Sequence, residues 1–393
     1  MDEPSPADGA THDAFTGLKV LDLATFIAGP YCATYLAEFG ADVVKVELAG
    51  IGDPIRSFGT RTDCGDTLVW LSEGRNKRSI ELDLRTPDGA ETLKRLVAEA
   101  DVLVENFQPG TLERWGLGPD ILQAINPRLI IARVSAYGQT GPYRDRPGFG
   151  RIANAFSGIS YLCGAPDRPP ASPGTATLSD YVSGVYAALG VLTALHARGA
   201  TGRGQIVDVG LYEGTFRLLD ELAPAFARGG FVRERMGAGT VNAVPHSHYP
   251  TSDGKWVAIA CTNDKIFARL TAVMGRMEVT GDGIYGDIGK REAKRAEVDA
   301  FVTDWTSGLT RDAVLEACSA GQVPCGPVYG IDEIFKDPQY AARGNLVEID
   351  DPRAGRLTLP NVCPRLSETP GAVRWAGRGL GADTAAVLKD WLG

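Results

Sequence analysis

Leu18-Lys-Val-Leu-Asp-Leu-Ala24 and Ala41-Asp-Val-Val-Lys-Val-Glu47 are two short apolar runs near the start of the chain. The segment between them contains Ala28-Gly29-Pro30 and then a helical stretch, Tyr31 to Phe39, that stops at Gly40. A strand, a helix and a second strand in this order predict a βαβ unit. The sequence therefore predicts an α/β fold with a parallel sheet and helices on both faces.

The same alternation continues along the first half of the chain. Segments at Arg78 to Asp83, Asp101 to Glu105 and Leu129 to Ser135 predict further strands, and Asp88 to Ala100 predicts a helix. We therefore expect a doubly wound sheet that extends to about Ala200. Later in the chain the pattern changes to a strand at Trp256 to Cys261 followed by helices, which indicates a separate, smaller α+β domain.

A chain of 393 residues exceeds the roughly 250–300 residues at which a single hydrophobic core stops growing, so two domains are expected. The predicted organisation is a disordered tail at 1–13, a large domain at 14–210, a linker at 211–240, a small α+β domain at 241–330 and a C-terminal return to the large domain at 331–393.

Composition and charge exclude several classes of protein. The net charge of −9 argues against a nucleic-acid partner. Seven scattered cysteines with no C-x-x-C pair favour reduced thiols and a cytoplasmic location. Met1 to Asp13 lacks the features of a signal peptide, and the longest apolar stretch, Val182 to Leu195, is shorter than a bilayer requires. The sequence therefore predicts a soluble protein with no membrane partner.

Common catalytic motifs are absent from the sequence. The one G-x-G-x-x-G match, Gly281 to Gly286, follows no strand, and neither a phosphate-binding P-loop nor a G-x-S-x-G elbow occurs. No arrangement of the four histidines suits a metal, so no metal site is predicted. His246 and His248 fit the edge of a strand, and their role stays open.

Asp180 is the only charged residue between Ala176 and Leu195, an apolar stretch that predicts a buried helix with Ser179 or Asp180 as its N-cap. Two interpretations are open for this carboxylate. It is either a cap that only stabilises the helix or a nucleophile whose charge is held by backbone N–H groups while an acyl ligand packs against it.

Three groups of basic or amide residues lie near the ends of predicted strands. They are Arg75-Asn-Lys-Arg78, Arg85, and Asn106-Phe107 with Arg114. Each group alone is typical of solvated charge on a loop. Together, at the strand ends where ligands bind in α/β sheets, they could hold a polyphosphate beside an aromatic ring, because arginine donates in a fork.

Many short motifs share one order with the family III CoA-transferases, which the chain resembles from about Gly17 to Gly393. The motifs include Val20-Leu-Asp-Leu-Ala-Thr-Phe-Ile-Ala-Gly-Pro30, Gly40-Ala-Asp-Val-Val-Lys-Val-Glu47, Asn76-Lys-Arg-Ser-Ile80, Val104-Glu-Asn-Phe107, Tyr137-Gly-Gln-Thr-Gly-Pro142, Thr201-Gly-Arg-Gly-Gln205 and Pro324-Cys-Gly-Pro-Val328. Singly they are weak signals, but in this order they are highly specific.

This resemblance implies a homodimer of interlocked, ring-like chains, each with a Rossmann-like CoA-binding domain and a smaller domain. It also leaves open a related second subunit, as in some relatives. The catalytic aspartate of the family falls on Asp180, where it would attack the thioester of an acyl-CoA. The resemblance implies that CoA and acyl-CoA are substrates and that no cofactor is tightly bound.

The resemblance also implies the residues that contact CoA. They are Ala28, Leu82, Arg85, Asn106, Phe107 and Arg114. The backbone at Ile27 and Ala28 would supply an N–H to the developing oxyanion.

A related branch of the family, the 2-methylacyl-CoA racemases, has a general-acid/base histidine where this chain has Phe149. Phenylalanine cannot move a proton, so a racemase or epimerase is disfavoured as the alternative function. A CoA-binding subunit without catalysis is a second alternative. Phe149 and Arg151 are predicted to contact the substrate, and Arg151 would suit the distal carboxylate of a C4–C5 dicarboxylate. Thr25 and Ile27 stand where formyl-CoA transferases have His and Gln, so oxalate is not expected.

Overall fold

A computed structural model describes residues 13–393, so the predicted tail at 1–13 lies outside the described residues except for Asp13. A six-stranded sheet is formed by strands that lie between Lys19 and Gly210. Its strands are β1 (Lys19–Asp22), β2 (Asp42–Glu47), β3 (Lys77–Glu81), β4 (Val102–Glu105), β5 (Ile130–Ser135) and β6 (Ile206–Gly210). The strand order is β3-β2-β1-β4-β5-β6, and every neighbouring pair is parallel. The prediction of an α/β fold with a parallel sheet is confirmed.

Helices cover both faces of this sheet. Those that follow β1 to β6 in the first part of the chain are α1 (Ala28–Glu38), α2 (Leu68–Glu73), α3 (Pro87–Glu99), α4 (Thr111–Arg114), α5 (Pro119–Ile125), α6 (Gly150–Ser157), α7 (Ile159–Leu162), α8 (Leu178–Thr201), α9 (Leu211–Arg217) and α10 (Leu222–Gly229), with a 3-10 turn at Pro54–Ser57.

Successive residues of a strand point to opposite faces, and the two cores follow from this alternation. Val20 and Val104 are buried on one face with residues of α1 and α8. Leu21 and Leu103 are buried on the other face with residues of α3. Because both faces are covered, the strands have apolar residues on both of them, which is why the sequence predicted them so clearly.

The later part of the chain contains a small antiparallel sheet of β7 (His246–Pro250), β8 (Trp256–Ala260) and β9 (Cys325–Pro327), with β7 at its edge. His246 and His248 both lie on this edge strand. The helices around it are α11 (Asp264–Val273), α12 (Ile288–Ala293), α13 (Arg295–Ser307), α14 (Arg311–Ala320), α15 (Ile331–Ile334) and α16 (Pro338–Ala342), with a 3-10 turn at Met277–Val279. A hairpin of β10 (Leu346–Asp351) and β11 (Gly355–Pro360) and the terminal helix α17 (Thr384–Leu392) follow.

The chain divides into two compact units. The first contains the described residues up to Ser160, Ser172–Phe231 and Ala341–Gly393, and the second contains Tyr161–Ala171 and Val232–Tyr340. Residues 211–240, predicted as a linker, include α9 and α10, and the first of these begins at Leu211, which is buried in the core of the first unit.

The longest helix, α8, has 24 residues and is long and apolar enough, by length and composition, to cross a membrane. The sequence prediction of no membrane span rests on the apolar run from Val182 to Leu195, which is shorter than the helix that contains it. Ala187, Val191 and Ala194 of this helix are buried in the core beside α1. Packing within the first unit therefore accounts for part of the apolar composition of α8.

Candidate active site

A cavity of about 320 Å³ lies at the carboxyl ends of β1, β4 and β5. Its wall consists of Thr25, Phe26, Ile27, Ala28, Asn106, Phe107, Gln108, Pro109, Val134, Ser135, Ala136, Arg146, Pro147, Gly148, Phe149, Asp180 and Leu211. The direction of the strand order reverses between β1 and β4. Loops at such a switch point diverge and leave a crevice, which is where doubly wound sheets bind their ligands.

Asp180 is half-buried in the wall of this cavity and lies in the first turn of α8. The helix begins at Leu178 with Thr177 as its N-cap, so the prediction of Ser179 or Asp180 as the cap is wrong. The hydroxyl of Thr177 donates to Oδ2 of Asp180 and accepts no capping hydrogen bond from a backbone N–H of α8. Burial raises the pKa of the Asp180 carboxyl above its ordinary value, and the hydrogen bond from Thr177 opposes that rise. The result is a carboxylate with few partners beside an open cavity.

Asn154, on α6, fixes the start of α8. Its buried Oδ1 accepts from the backbone N–H of Ser179 at 3.2 Å and from the Ser179 hydroxyl at 2.6 Å. The Ser179 hydroxyl also lies 2.8 Å from Oγ1 of Thr215. Sequence reasoning missed Asn154, since its partner lies 25 positions away. These bonds leave Ser179 with a structural role and hold the neighbouring Asp180 in place.

Gly150, the first residue of α6, lies directly against the Asp180 carboxylate. A Cβ atom at this position would overlap Oγ1 of Thr177 and Oδ2 of Asp180. The absence of a side chain at residue 150 is therefore what allows the carboxylate its observed position.

Replacing Gly150 by Ala should lower kcat by about 10- to 100-fold, because a reacting group displaced by about 1 Å loses its alignment. The free energy of unfolding should change little, since the overlapping atoms are ends of side chains that can rotate away. Steady-state kinetics and urea unfolding measure the two effects. Gly199→Ala is the matched control, because Gly199 lies on α8 with open space around it; it should leave kcat unchanged, and equal losses in both variants would contradict the prediction.

The loop after β1 forms the opposite wall and is held by side chains from three elements. Asn106 pairs with Thr25 in both directions, with its Oδ1 2.8 Å from the Thr25 nitrogen and its Nδ2 2.7 Å from the Thr25 oxygen. Oδ1 of Asp53 accepts from the N–H of Phe26 at 3.0 Å, and Lys45 donates to the carbonyl of Ala24. Phe26 adopts a φ of 62°, an unfavourable value for a non-glycine residue that these bonds compensate.

This loop leads directly into the N-terminus of α1. The first N–H groups of a helix have no partner within the helix, and the helix dipole makes that end positive. Ile27 and Ala28 line the cavity at this end. The site therefore has the N-terminal end of a helix in one wall and a carboxylate in the other.

A buried network of charges lies under the same loop. Oδ2 of Asp22 is 2.8 Å from the Lys77 ammonium, and Oδ1 is 3.7 Å from the Lys45 ammonium. Lys45 also pairs with Oδ2 of Asp53 at 2.9 Å. None of the four side chains is more than 2% exposed. The network connects β1, β2 and β3 to the loop that forms the cavity wall.

A second cavity of about 300 Å³ adjoins the first and shares Thr25 and Phe107 with it. Leu82, Arg85 and Trp115 also line it. The ring centroids of Phe107 and Trp115 are 5.2 Å apart, and they form an aromatic wall.

The structure brings most of the predicted site residues to these two cavities. Ala28, Asn106, Phe107, Phe149 and Asp180 line the first, and Leu82, Arg85 and Phe107 line the second. Arg114 and Arg151 line neither. Both are exposed, and Arg114 donates to the Thr111 hydroxyl at 2.8 Å.

The basic run Arg75 to Arg78, which the sequence offered as a phosphate site, has structural roles instead. Arg75 pairs with the buried Glu38, Lys77 pairs with Asp22, and Arg78 pairs with Asp42. Asn76 donates to backbone carbonyls. These side chains are paired with carboxylates or backbone groups and line neither cavity.

Among residues 13–393, no group of three or more His, Cys, Asp or Glu side chains is placed to hold a metal ion.

Comparison with known proteins gives consistent matches over nearly the whole chain. The sequence model of CoA-transferase family III matches residues 15–384. The beta subunit of succinyl-CoA–L-malate CoA-transferase from Chloroflexus aurantiacus is 54% identical over 389 residues, covering 98% of this chain and 96% of the relative. The succinate–glutarate CoA-transferase of Agrobacterium fabrum is 33% identical over 383 residues, 95% of each chain.

Solved structures give the same result. The crystal structure of a CaiB/BaiF family protein from Brucella suis matches with a TM-score of 0.86 and 34% sequence identity, covering 97% of this chain and 100% of that one. The resemblance found in the sequence motifs is confirmed. The chain belongs to CoA-transferase family III and is a CoA-transferase.

Proposed function

We propose that this chain transfers CoA from succinyl-CoA to a short dicarboxylate, with the Asp180 carboxylate as the carrier. The observation that carries the proposal is a half-buried carboxylate in the wall of a cavity at the switch point of the sheet. Relatives whose names specify succinyl-CoA with malate, and succinate with glutarate, support the substrate class.

The reaction follows from the chemistry of two carboxylates that exchange one thiol. Oδ of Asp180 attacks the thioester carbon, the C–S bond breaks, and CoA leaves as a thiolate while a mixed anhydride forms. The thiolate then attacks the Asp180 acyl carbon, which releases succinate and leaves an aspartyl-CoA thioester. The acceptor carboxylate repeats both steps in reverse order, so Asp180 ends as a free carboxylate. Water must be excluded while the anhydride exists.

The two adjoining cavities suit the two ends of acyl-CoA. In this proposal the nucleotide occupies the second cavity against Leu82, Phe107 and Arg85, and the pantetheine arm passes Thr25 and Phe107 to reach Asp180. The N–H groups at Ile27 and Ala28 stabilise the oxyanion, because they are fixed before the charge develops. Asn106 contributes by fixing the loop that carries them. Arg114 as a phosphate ligand and Arg151 as a substrate ligand stay predictions.

Assembly and location are part of the same proposal. An interlocked homodimer would cover apolar side chains that are about half exposed on the first unit, among them Phe156, Phe216 and Phe226. A related second subunit is the alternative partner, because two relatives are named as alpha and beta subunits. The seven cysteines are free thiols, which favours the reducing cytoplasm.

The proposal is tested by incubating the protein with succinyl-CoA and a panel of free acids, with the CoA esters identified by mass. We expect dicarboxylates such as malate or citramalate to be converted, and hydroxylamine to modify Asp180 after incubation with succinyl-CoA alone. Two results would contradict the proposal. Deuterium exchange at the α-carbon without an acceptor would indicate a racemase, and tight CoA binding without any transfer would indicate a non-catalytic subunit.

A further inference from the structure

Arg146 lies in the loop between β5 and α6 and lines the first cavity. Of the described residues in that wall, it is the only cation, and Asp180 is the only carboxylate. The sequence predicts Arg151, and not Arg146, as the residue that contacts the substrate. Arg146 is therefore the one positively charged side chain available to a ligand that reaches Asp180.

The Tyr143 ring orients the Arg146 guanidinium, and no carboxylate of the described residues neutralises its charge. Its Cζ atom lies 3.7 Å above the centre of the Tyr143 ring. Within residues 13–393, no carboxylate forms an ion pair with it, whereas the neighbouring Arg144 pairs with Asp145 at 3.4 Å. An arginine stacked on a ring presents its forked donors in a fixed plane, which matches the two oxygens of a carboxylate.

Ser135 supplies a second, independent observation in the same wall. It ends β5, is only 6% exposed and lines the first cavity. Its Oγ is buried and has no hydrogen-bond partner in the described part of the chain. A buried hydroxyl without a partner costs free energy that a ligand oxygen would recover.

We propose that Arg146 and Ser135 bind the distal carboxylate of the acyl group and so select dicarboxylates over monocarboxylic acids. This proposal rests on the CoA-transfer function above. A dicarboxylate that presents one carboxyl carbon to Asp180 brings a second negative charge into a cavity that already holds one. Arg146 offsets that charge, while a monocarboxylate gains nothing from it. Since Arg146 does not line the second cavity, the assignment separates it from the site proposed for the nucleotide.

The test compares two donors, succinyl-CoA and butyryl-CoA, which have the same chain length and differ in the distal carboxylate. In a ping-pong reaction, kcat/KM for the donor reports the first half-reaction alone. Contacts with CoA are the same for both donors, so they cancel when kcat/KM for succinyl-CoA is divided by kcat/KM for butyryl-CoA. Arg146→Gln should lower kcat/KM for succinyl-CoA by about 10- to 100-fold, the range for a charge-assisted hydrogen bond, and change that for butyryl-CoA by less than about 2-fold. Arg146→Lys should recover part of the loss. Ser135→Ala should give a smaller loss of the same kind.

Arg144→Gln is the matched control, because Arg144 is exposed, lies two positions away and is absent from the cavity wall; its donor ratio should equal that of the unmodified protein. Equal losses for both donors in Arg146→Gln would overturn the proposal and assign Arg146 to CoA or to folding. If the unmodified protein transfers CoA from neither donor, the proposed function fails. Calorimetric binding of succinate then tests Arg146 by itself, and equal affinity in the unmodified protein and Arg146→Gln would overturn the assignment.

Discussion

Replacing Asp180 by Asn should lower kcat for CoA transfer by more than about 10⁴-fold, as removal of a covalent nucleophile does in other enzymes. The amide has nearly the same shape, and it can still accept the hydrogen bond from Thr177. It cannot attack a thioester to form an anhydride. Steady-state rates with succinyl-CoA and an accepted dicarboxylate measure the loss, and mass spectrometry should find no CoA ester on the peptide that contains residue 180.

The same substitution should not destabilise the protein at about pH 7. A carboxyl whose pKa is raised on folding is one whose ionised form is disfavoured in the folded protein. Its ionisation therefore costs folding free energy at pH values above that raised pKa. The cost falls as the pH decreases through the raised pKa and is absent below the pKa of the unfolded chain. Urea unfolding should show Asp180→Asn at least as stable as the unmodified protein at neutral pH, with any advantage shrinking on acidification.

Asp145→Asn is the matched control for this experiment. Asp145 is an exposed carboxylate on the loop that carries Arg146, and it is absent from the cavity wall. Its replacement should change kcat by less than about 2-fold, in line with surface substitutions away from a site. If Asp180→Asn kept more than about a hundredth of the activity, another group would have to carry the acyl unit, and the mechanism proposed here would be wrong.

The fold was predictable because its evidence is local. The runs at Leu18 to Ala24 and Ala41 to Glu47 have neighbouring apolar residues, such as Val20-Leu21 and Val43-Val44, which is typical of strands buried on both faces. Asp180 was visible as a candidate because it is a lone charge in an apolar helix, but the segment alone left a helix cap open, and only the family resemblance favoured a nucleophile. The exact position of Asp180 in the first turn was not predictable, because Thr177 and Asp180 are both acceptable caps by residue type.

The roles of the basic residues were not predictable, because they depend on partners far away in the sequence. Arg75 finds Glu38 at a separation of 37 residues, and Lys77 finds Asp22 at a separation of 55. The sequence on either side of Arg75 and Lys77 does not indicate which carboxylate each one pairs with. The choice between Arg146 and Arg151 depended on the backbone between them, where the chain changes from loop to helix at Gly150. Only the resulting geometry places the first in the cavity wall.

Asp22→Asn should cost about 3–5 kcal/mol of unfolding free energy, the range for breaking a buried ion pair by removing one partner. Asp22 is fully buried, and its Oδ2 lies 2.8 Å from the Lys77 ammonium, whose side chain is only 2% exposed. Lys45 would keep its partner Asp53, so Lys77 is the charge left without a carboxylate. Urea unfolding measures the loss. Activity should fall with it, because the ammonium left without a partner lies under the cavity loop, close to residue 22, which accepts from the N–H of Ala24 in that loop at 3.1 Å.

Two further variants distinguish a stranded charge from a simple loss of packing. Glu99→Gln breaks the partly exposed Lys19–Glu99 pair, which involves the first residue of the same strand, and should cost less than about 1 kcal/mol. The double variant Asp22→Asn, Lys77→Met should recover part of the loss, because it removes the ammonium that has no partner.

The pH dependence of stability is a further test. Burial already lowers the pKa of Lys77, and removing Asp22 would lower it further. The folded single variant would then bind fewer protons than its unfolded chain. Its stability relative to the unmodified protein should therefore rise with pH until Lys77 of the unmodified protein, whose own pKa is below the ordinary lysine value, also loses its proton. The loss of unfolding free energy in Asp22→Asn could also prove independent of pH and unchanged by Lys77→Met. That result would show that Asp22 contributes packing and not charge.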